Sequence, residues 1–352
     1  MKWKRLSEAF FRARRIGIVR TDHLGDMVLT LPMVSAIRRL RPEAEIIVFA
    51  HPRVAPLLIG QPDLTAAAFV VDRPSLRRAL HQWRPEILFF PRPVLEEAWE
   101  GWRVGVPYRV GSGYRWYSFL FSHRIYEHRR RGQRHEAEHN VRMVERAAEV
   151  DGLPVELLAP VVPEIARKRA VELLERHGIV PSAFVVLHPG GRGSAPRWAP
   201  EAFARLAQCL EAGGIACLFT GTGAEKALEC RIQQEYPNMR GLFGATGIEE
   251  FIALLANARV VVGNSTGALH IAAALGVPVV GLYSRLPDHH PRRWGPYTQR
   301  AWILTPPPEA APDAVDAIPV ELVYTAVQHM WQMREQGEET GPSQAAEAYR
   351  GG

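Results

Sequence analysis

Cysteine is scarce in this chain, with Cys209, Cys217 and Cys230 the only examples. An odd, sparse set without metal-ligand spacing excludes a disulfide scaffold and fits buried thiols in a reducing compartment. Lysine is almost absent: Lys2, Lys4, Lys168 and Lys226 are all there is, so the formal charge of +6 rests on arginine. That charge fits nucleic acid, an anionic membrane surface or an acidic substrate. No zinc finger, helix-turn-helix or ribonucleoprotein motif reads off the chain, which leaves charge as the sole argument for nucleic acid. No uninterrupted apolar run is long enough to span a bilayer. The opening "MKWKRLSEAFFRARR" lacks the apolar core and cleavage site of a signal peptide. It reads as a basic helix, either solvated or lying on a membrane surface with snorkelling arginines.

What is present is a balance of apolar and charged residues typical of globular proteins, 47% and 23% of 352 residues. The pattern falls into two runs of alternating strands and helices. In the first, "RIGIVR", "AEIIVFA", "AAFVV" and "EILFFP" read as strands, with "MVLTLPMVSAIRRL" and "PSLRRALHQW" as helices. After the proline-marked "LLAPVVPE", a second run offers "AFVVLH", "IACLFTG", "MRGLFG", "RVVVGN" and "VPVVGLY" as strands. "PEAFARLAQCLEAGG", "EEFIALLANA" and "GALHIAAALG" are its helices. Short apolar strands between amphipathic helices predict parallel sheets covered on both faces. The expected organisation is an α/β chain of two Rossmann-like domains, residues 1–160 and 161–318. A helix over 319–336 is expected to pack back on the first domain, and 337–352 to be a disordered tail. Such domains bind ligands in a cleft outside the carboxyl ends of their strands.

Three strand-to-helix turns carry candidate chemistry. "RTDHLGDMVLTLP" puts Asp26 at a helix mouth, as a plain N-cap or as a carboxylate facing substrate, with Asp22 and His23 as competitors. "LHPGGRGSAPRWAPEAF" frees backbone N–H groups at its glycines and adds Arg192 and Arg197, a loop able to hold phosphate. "VVVGNSTGALHIAAALG" opens a helix with Ser265, Thr266 and Gly267, where N–H groups, hydroxyls and the helix dipole favour an anion. His270 lies one turn inside.

Taken together, these stretches resemble the family 9 glycosyltransferases, the ADP-heptose:lipopolysaccharide heptosyltransferases, from about Arg15 to Tyr297. The family's opening G-D-x-x-x-x-x-P stands here as Gly25, Asp26 and Pro32. Its late motif stands as Thr266, Gly267, His270, Ala274, Gly276 and Pro278, and "RWAPEAFARLA" matches its central tryptophan-proline helix start. The resemblance implies a GT-B fold of two Rossmann-like domains facing a cleft, the first for the acceptor and the second for the nucleotide sugar. It implies inverting transfer without a metal or other cofactor, from ADP-heptose or a related donor to an anionic, lipid-linked glycan such as the lipopolysaccharide core. Asp26 then matches the base, Thr266 and Gly267 the diphosphate contacts, and Glu225 a ribose contact. The enzyme would work in the cytoplasm, with peripheral contact to the inner face of the membrane. The chain departs from the family at Ser265, where many members carry Asp, and at Pro196, where many carry Lys; Arg197 or Arg192 stands in for that cation. Ser265 is the feature that favours a non-catalytic nucleotide-sugar module of the same fold, and Asp26 argues against it.

"RHEAEHN" contains H-E-x-x-H, the zinc-peptidase pattern, with His135 and His139 as ligands and Glu136 as base. Its approach, "EHRRRGQ", is polar, and nothing downstream supplies a clear third ligand. The alternative is a helix starting near His135, Glu136 in its first turn, and His139 and Asn140 facing the domain body or the cleft. The arginine-rich stretch before it then offers Arg115, Arg124 and Arg129 to Arg131, with His139, as contacts for an anionic acceptor.

Overall fold

The computed structural model describes residues 5–129, 132–191 and 195–336, with side chains described through 333. The chain divides into two compact units, Met1–Val161 and Val162–Gly352.

In the first unit, β1 (Arg15–Arg20), β2 (Glu45–Ala50), β3 (Ala66–Phe69), β4 (Ile87–Phe89), β5 (Tyr108–Ser112) and β6 (His123–Ile125) pair in the order β3-β2-β1-β4-β5-β6. Every pairing is parallel. Ile16, Ile18 and Val19 of β1 and Ile46 to Phe49 of β2 are fully buried, because helices cover both faces of the sheet. The helices are α1 (Leu6–Arg12), α2 (Leu24–Val28), α3 (Pro32–Leu40), α4 (Ala55–Leu58), α5 (Arg73–Trp83), α6 (Leu95–Arg103) and α7 (Glu136–Ala148). On one face Leu76 and Leu80 of α5 and Ala98 of α6 pack on Phe49, Leu88 and Phe90. The stretch expected as one helix after β1 is two, α2 and α3. Pro32, which cannot donate a backbone hydrogen bond, starts the second.

In the second unit, β7 (Phe184–His188), β8 (Ala216–Gly221), β9 (Gly241–Phe243), β10 (Val260–Asn264), β11 (Val279–Leu282) and β12 (Ala301–Leu304) are also all parallel, in the order β12-β11-β10-β7-β8-β9. Around them run α8 (Glu164–Arg176), α9 (Pro200–Ala212), α10 (Lys226–Glu235), α11 (Ile248–Asn257), α12 (Gly267–Ala274), α13 (Pro291–Trp294) and α14 (Val320–Gln336). Each sheet has the doubly wound order, so each has a switch point between its central strands: β1 and β4 in the first, β7 and β10 in the second.

Val323, Ala326, Val327 and Met330 of α14 form a stripe at helical spacing and enter the core of the second unit with Phe203, Leu206 and Ile318. The residues expected as a disordered tail, 337–352, lie outside the described residues. Among the described residues no helix is long and apolar enough to cross a membrane.

Candidate functional site

At the switch point of the first sheet, β1 ends on Arg20, whose guanidinium is buried. Its Nε donates to Asp22 Oδ1 at 2.6 Å and its Nη2 to Asp26 Oδ1 at 2.5 Å. Asp26 is not an N-cap. His23 holds that position in α2, and Asp26 sits in the first turn with its carboxylate on Arg20. Asp22 is nearly buried, with Arg92 Nε 3.8 Å from its second oxygen, whereas Asp26 keeps 21% of its side chain exposed. Burial pushes the Asp26 carboxyl up, Arg20 pulls it down, and the charges of Asp22 and Glu136 push it up again; the net direction is up. A carboxylate made more basic yet still reachable suits a general base. His23 is exposed.

Two carboxylates that sequence reasoning did not place here complete the cluster. Glu97, in the first turn of α6, accepts a hydrogen bond from the Thr21 hydroxyl and so ties the turn after β1 to the start of α6. Its Oε2 is buried without a hydrogen-bond partner. Burial pushes this carboxyl up to about 6, against the Thr21 hydrogen bond and the charge of Arg92. Glu136, also buried, is bound by Arg129 and acts on both Arg20 and Asp26.

Glu136 belongs to "HEAEH". His135 is the N-cap of α7: its Nδ1 accepts the Ala137 N–H at 3.2 Å, and Glu138 returns a bond to the His135 N–H at 3.1 Å. His139 and Asn140 face the body of the unit, as the helix reading expects. His139 Nδ1 lies 3.0 Å from Glu127 Oε2, and Asn140 Nδ2 donates to Leu29 O at 2.9 Å. Burial raises the Glu127 carboxyl, but hydrogen bonds from His139 and Arg142 and the charge of Arg142 outweigh it and hold it at about 2. His135 therefore spends its ring on the cap and His139 on Glu127. Among the described residues no group of His, Cys, Asp and Glu side chains is arranged to hold a metal ion. Arg115 is exposed beyond β5; Arg124, on β6, donates to Ser118 O at 3.1 Å. His139 is too buried to be met from solvent as it stands. Arg130 and Arg131 lie outside the described residues.

The second switch point is built from backbone. Asn264, fully buried at the end of β10, accepts the Trp198 N–H at 2.8 Å and donates to Pro189 O at 2.8 Å. It pins the loop after β7 against the start of α12. Glu225 accepts the Gly191 N–H at 3.0 Å and the N–H and hydroxyl of Thr222 at 2.7 and 2.9 Å. Burial raises the Glu225 carboxyl, but these hydrogen bonds prevail and hold it below its ordinary value. A side chain at Gly190 would place its Cβ 2.2 Å from Glu225 Oε1, and one at Gly191 would meet Thr266 Cγ2 at 3.1 Å. The absence of a side chain at both positions leaves room for the Glu225 carboxylate and the Thr266 methyl. Arg197, exposed, donates to Gly191 O at 3.2 Å. Thr266 is the N-cap of α12 without a side-chain cap bond, and its Oγ1 is buried without a hydrogen-bond partner, as is Ser284 Oγ after β11. Ser265 and Gly267 flank Thr266, partly exposed, and His270 is buried one turn inside. Gly191, Arg197, Glu225 and Thr266 are thus brought together; Arg192 lies outside the described residues. Sequence reasoning missed Asn264 and Ser284. An Asn closing a buried strand was the available signal for the first.

Residues 94–321 match the family model described as glycosyltransferase family 9 (heptosyltransferase). A putative glycosyltransferase of Haemophilus influenzae is 26% identical over 300 residues, spanning 80% of this chain and 86% of that protein. Among solved structures, the family 9 glycosyl transferase from Veillonella parvula superposes with a TM-score of 0.81 at 19% identity, covering 91% of this chain and 97% of that one. The ADP-heptose lipopolysaccharide heptosyltransferase II of E. coli gives 0.76 at 21% identity, covering 91% and 99%. At these identities the two structures establish the fold: a pair of Rossmann-like units of GT-B type.

Proposed function

The chain belongs to glycosyltransferase family 9, and on that premise we propose that it transfers a heptose, or a related sugar, from a nucleotide-diphosphate donor to a glycan acceptor. ADP-heptose is the donor, and an anionic, lipid-linked glycan such as the lipopolysaccharide core is the acceptor. The work is done in the cytoplasm, in peripheral contact with the inner membrane. The observation that carries the reading is the setting of Asp26: a reachable carboxylate, made basic by burial and by Asp22 and Glu136, held in place by Arg20.

In this reading Asp26 accepts the proton of an acceptor hydroxyl as its oxygen attacks the anomeric carbon. The bond from that carbon to the diphosphate breaks, with inversion, and the electron pair leaves on the nucleoside diphosphate. The growing charge is met by the N–H groups at Thr266 and Gly267, the start of the α12 dipole, the Thr266 hydroxyl and Arg197. Arg192 adds a second cation, Ser265 a hydroxyl, and Glu225 reaches the ribose. Arg115, Arg124, Arg130 and His139 serve the acceptor, directly or through the arrangement of the loop. No step in this scheme calls for a metal.

A screen of nucleotide sugars by thermal unfolding tests the donor. A ligand at a hundredfold excess over its dissociation constant stabilises by about 2.7 kcal/mol. ADP-heptose is expected to do so, and Gly267→Val to abolish it in a folded protein. Stabilisation by other nucleotide sugars but not by ADP-sugars would reassign the donor.

A further inference from the structure

The first unit contains a cavity of about 600 Å³ between the start of α1, the edge strand β6 and the middle of α7. It is a different place from the Asp26 cluster. Arg142 and Arg146 enter it from positions six and ten residues beyond Glu136, roughly 9 and 15 Å along the helix. Arg5 and Arg124 reach it from α1 and β6.

Its charges do not balance. Glu127 is already held by Arg142 Nε at 2.6 Å and by His139. Glu149 is the remaining carboxylate in the lining. Arg5 and Arg124 make no ion pair among the described residues, and Arg146 has only Asp151 at 3.8 Å, on a side chain 79% exposed. An ion pair of that kind contributes little and leaves the guanidinium available. Several planar forks converging on one open volume match the oxygens of a phosphate group. An exposed aromatic pair stands beside the arginines: Tyr126, in the lining, is 61% exposed and packs edge-on against the exposed Tyr114. Arginines beside exposed aromatic rings suit the boundary between headgroups and acyl chains.

We propose that this cavity binds a phosphate mono- or diester, and that the exposed aromatic pair beside it makes the headgroup of an anionic membrane lipid its source. It is an anion site apart from the Asp26 cluster, which shares Arg124 with the acceptor contacts proposed above and would hold the first unit on the surface where a lipid-linked acceptor lies.

The test uses the full chain, with ADP present to occupy any diphosphate site. Sedimentation with vesicles of phosphatidylcholine, with and without phosphatidylglycerol, forms one arm. Calorimetry with glycerol phosphate forms the other. The protein is expected to bind the anionic vesicles, and Arg5→Glu with Arg146→Glu to weaken that binding roughly tenfold or more, while Arg146→Lys keeps most of it. Both replaced side chains are solvent-exposed, so folding is retained. Turnover on a soluble acceptor fragment stays unchanged, so failure of this site and failure of the transferase reading are told apart. Binding of glycerol phosphate alone, lost in the double variant, supports the phosphate site but moves its source to a soluble ligand. Binding of neither probe, or binding of either by the double variant as by the parent, overturns the proposal.

Discussion

At the switch point of the first sheet stand Asp22, Asp26, Glu97 and Glu136, cross-linked by Arg20, Arg92 and Arg129. At that of the second stand Gly190, Gly191, Asn264 and Thr266, where the Asn264 and Glu225 side chains bind the backbone of the surrounding loops. The strand order around both is the same. The first is a set of acidic side chains whose mutual repulsion and burial raise the affinity of Asp26 and Glu97 for a proton. The second is a set of amides and hydroxyls at a helix start, suited to receive negative charge. In the proposed reaction one topology would serve both halves of the transfer, and the difference lies in whether side chain or backbone supplies the chemistry.

The comparison breaks first at Arg20. Removing its guanidinium leaves Asp22 and Asp26 in a buried setting without their shared cation, and Arg20→Ala is expected to cost roughly 3–5 kcal/mol in denaturant unfolding. Arg197→Ala, at the exposed counterpart, is expected to change stability by no more than about 0.5 kcal/mol while weakening donor binding. Equal effects on stability would mean that the two sites are not built differently.

Gly190→Ala sharpens the contrast from the other side. The added methyl displaces the Glu225 carboxylate and frees the Gly191 N–H. Donor affinity by calorimetry is expected to fall about tenfold, the loss of roughly one good hydrogen bond. The acid limb of the pH–rate profile, set by the Asp26 cluster, should stay where it is. A shifted limb would show that the second site sets the proton chemistry.

A pH-dependent effect concerns Glu97. The native state keeps its proton to about pH 6, while an ordinary glutamate releases it near 4.5. The group therefore favours the fold fully below about pH 4.5, and that contribution is lost as pH rises through about 6, a change of about 2 kcal/mol. Glu97→Gln should remove this decline and be more stable than the parent at pH 7 by up to that amount. Glu127 has the opposite sign. Its contribution is present above about pH 4.5 and is lost as pH falls towards about 2, outside the Glu97 window. A parent protein with a flat stability profile between pH 4.5 and 6 would contradict the Glu97 assignment.

The sequence made both strand-to-helix turns legible because each is local: Asp26 and the Ser265–Gly267 start announce themselves within a few residues of a strand. Their supports were hidden by distance. Glu97 reaches Thr21 from 76 positions away, and Asn264 reaches Trp198 from 66. No periodicity reports such pairings. β5, β6 and β12 went unread for a different reason. They are short and two of them edge the sheets; glycine, arginine and histidine interrupt the apolar signal in β5 and β6, and β12 is apolar but only four residues long. The stripe on α14 was readable, but an apolar stripe does not say which sheet it covers. In "HEAEH" the spacing was real and its use different: the first histidine caps the helix, the glutamate joins the Asp26 cluster, and the second histidine holds Glu127.

The central claim is that proton acceptance belongs to the first site and donor binding to the second. Asp26→Asn tests it most directly, since it keeps the size of the side chain and removes its basicity. Turnover and donor affinity are measured on the same preparation, by steady-state kinetics and calorimetry. The account predicts that kcat falls by about 10² to 10⁴ while the donor dissociation constant stays within about threefold. Unchanged turnover, or loss of donor binding in parallel with turnover, would contradict it.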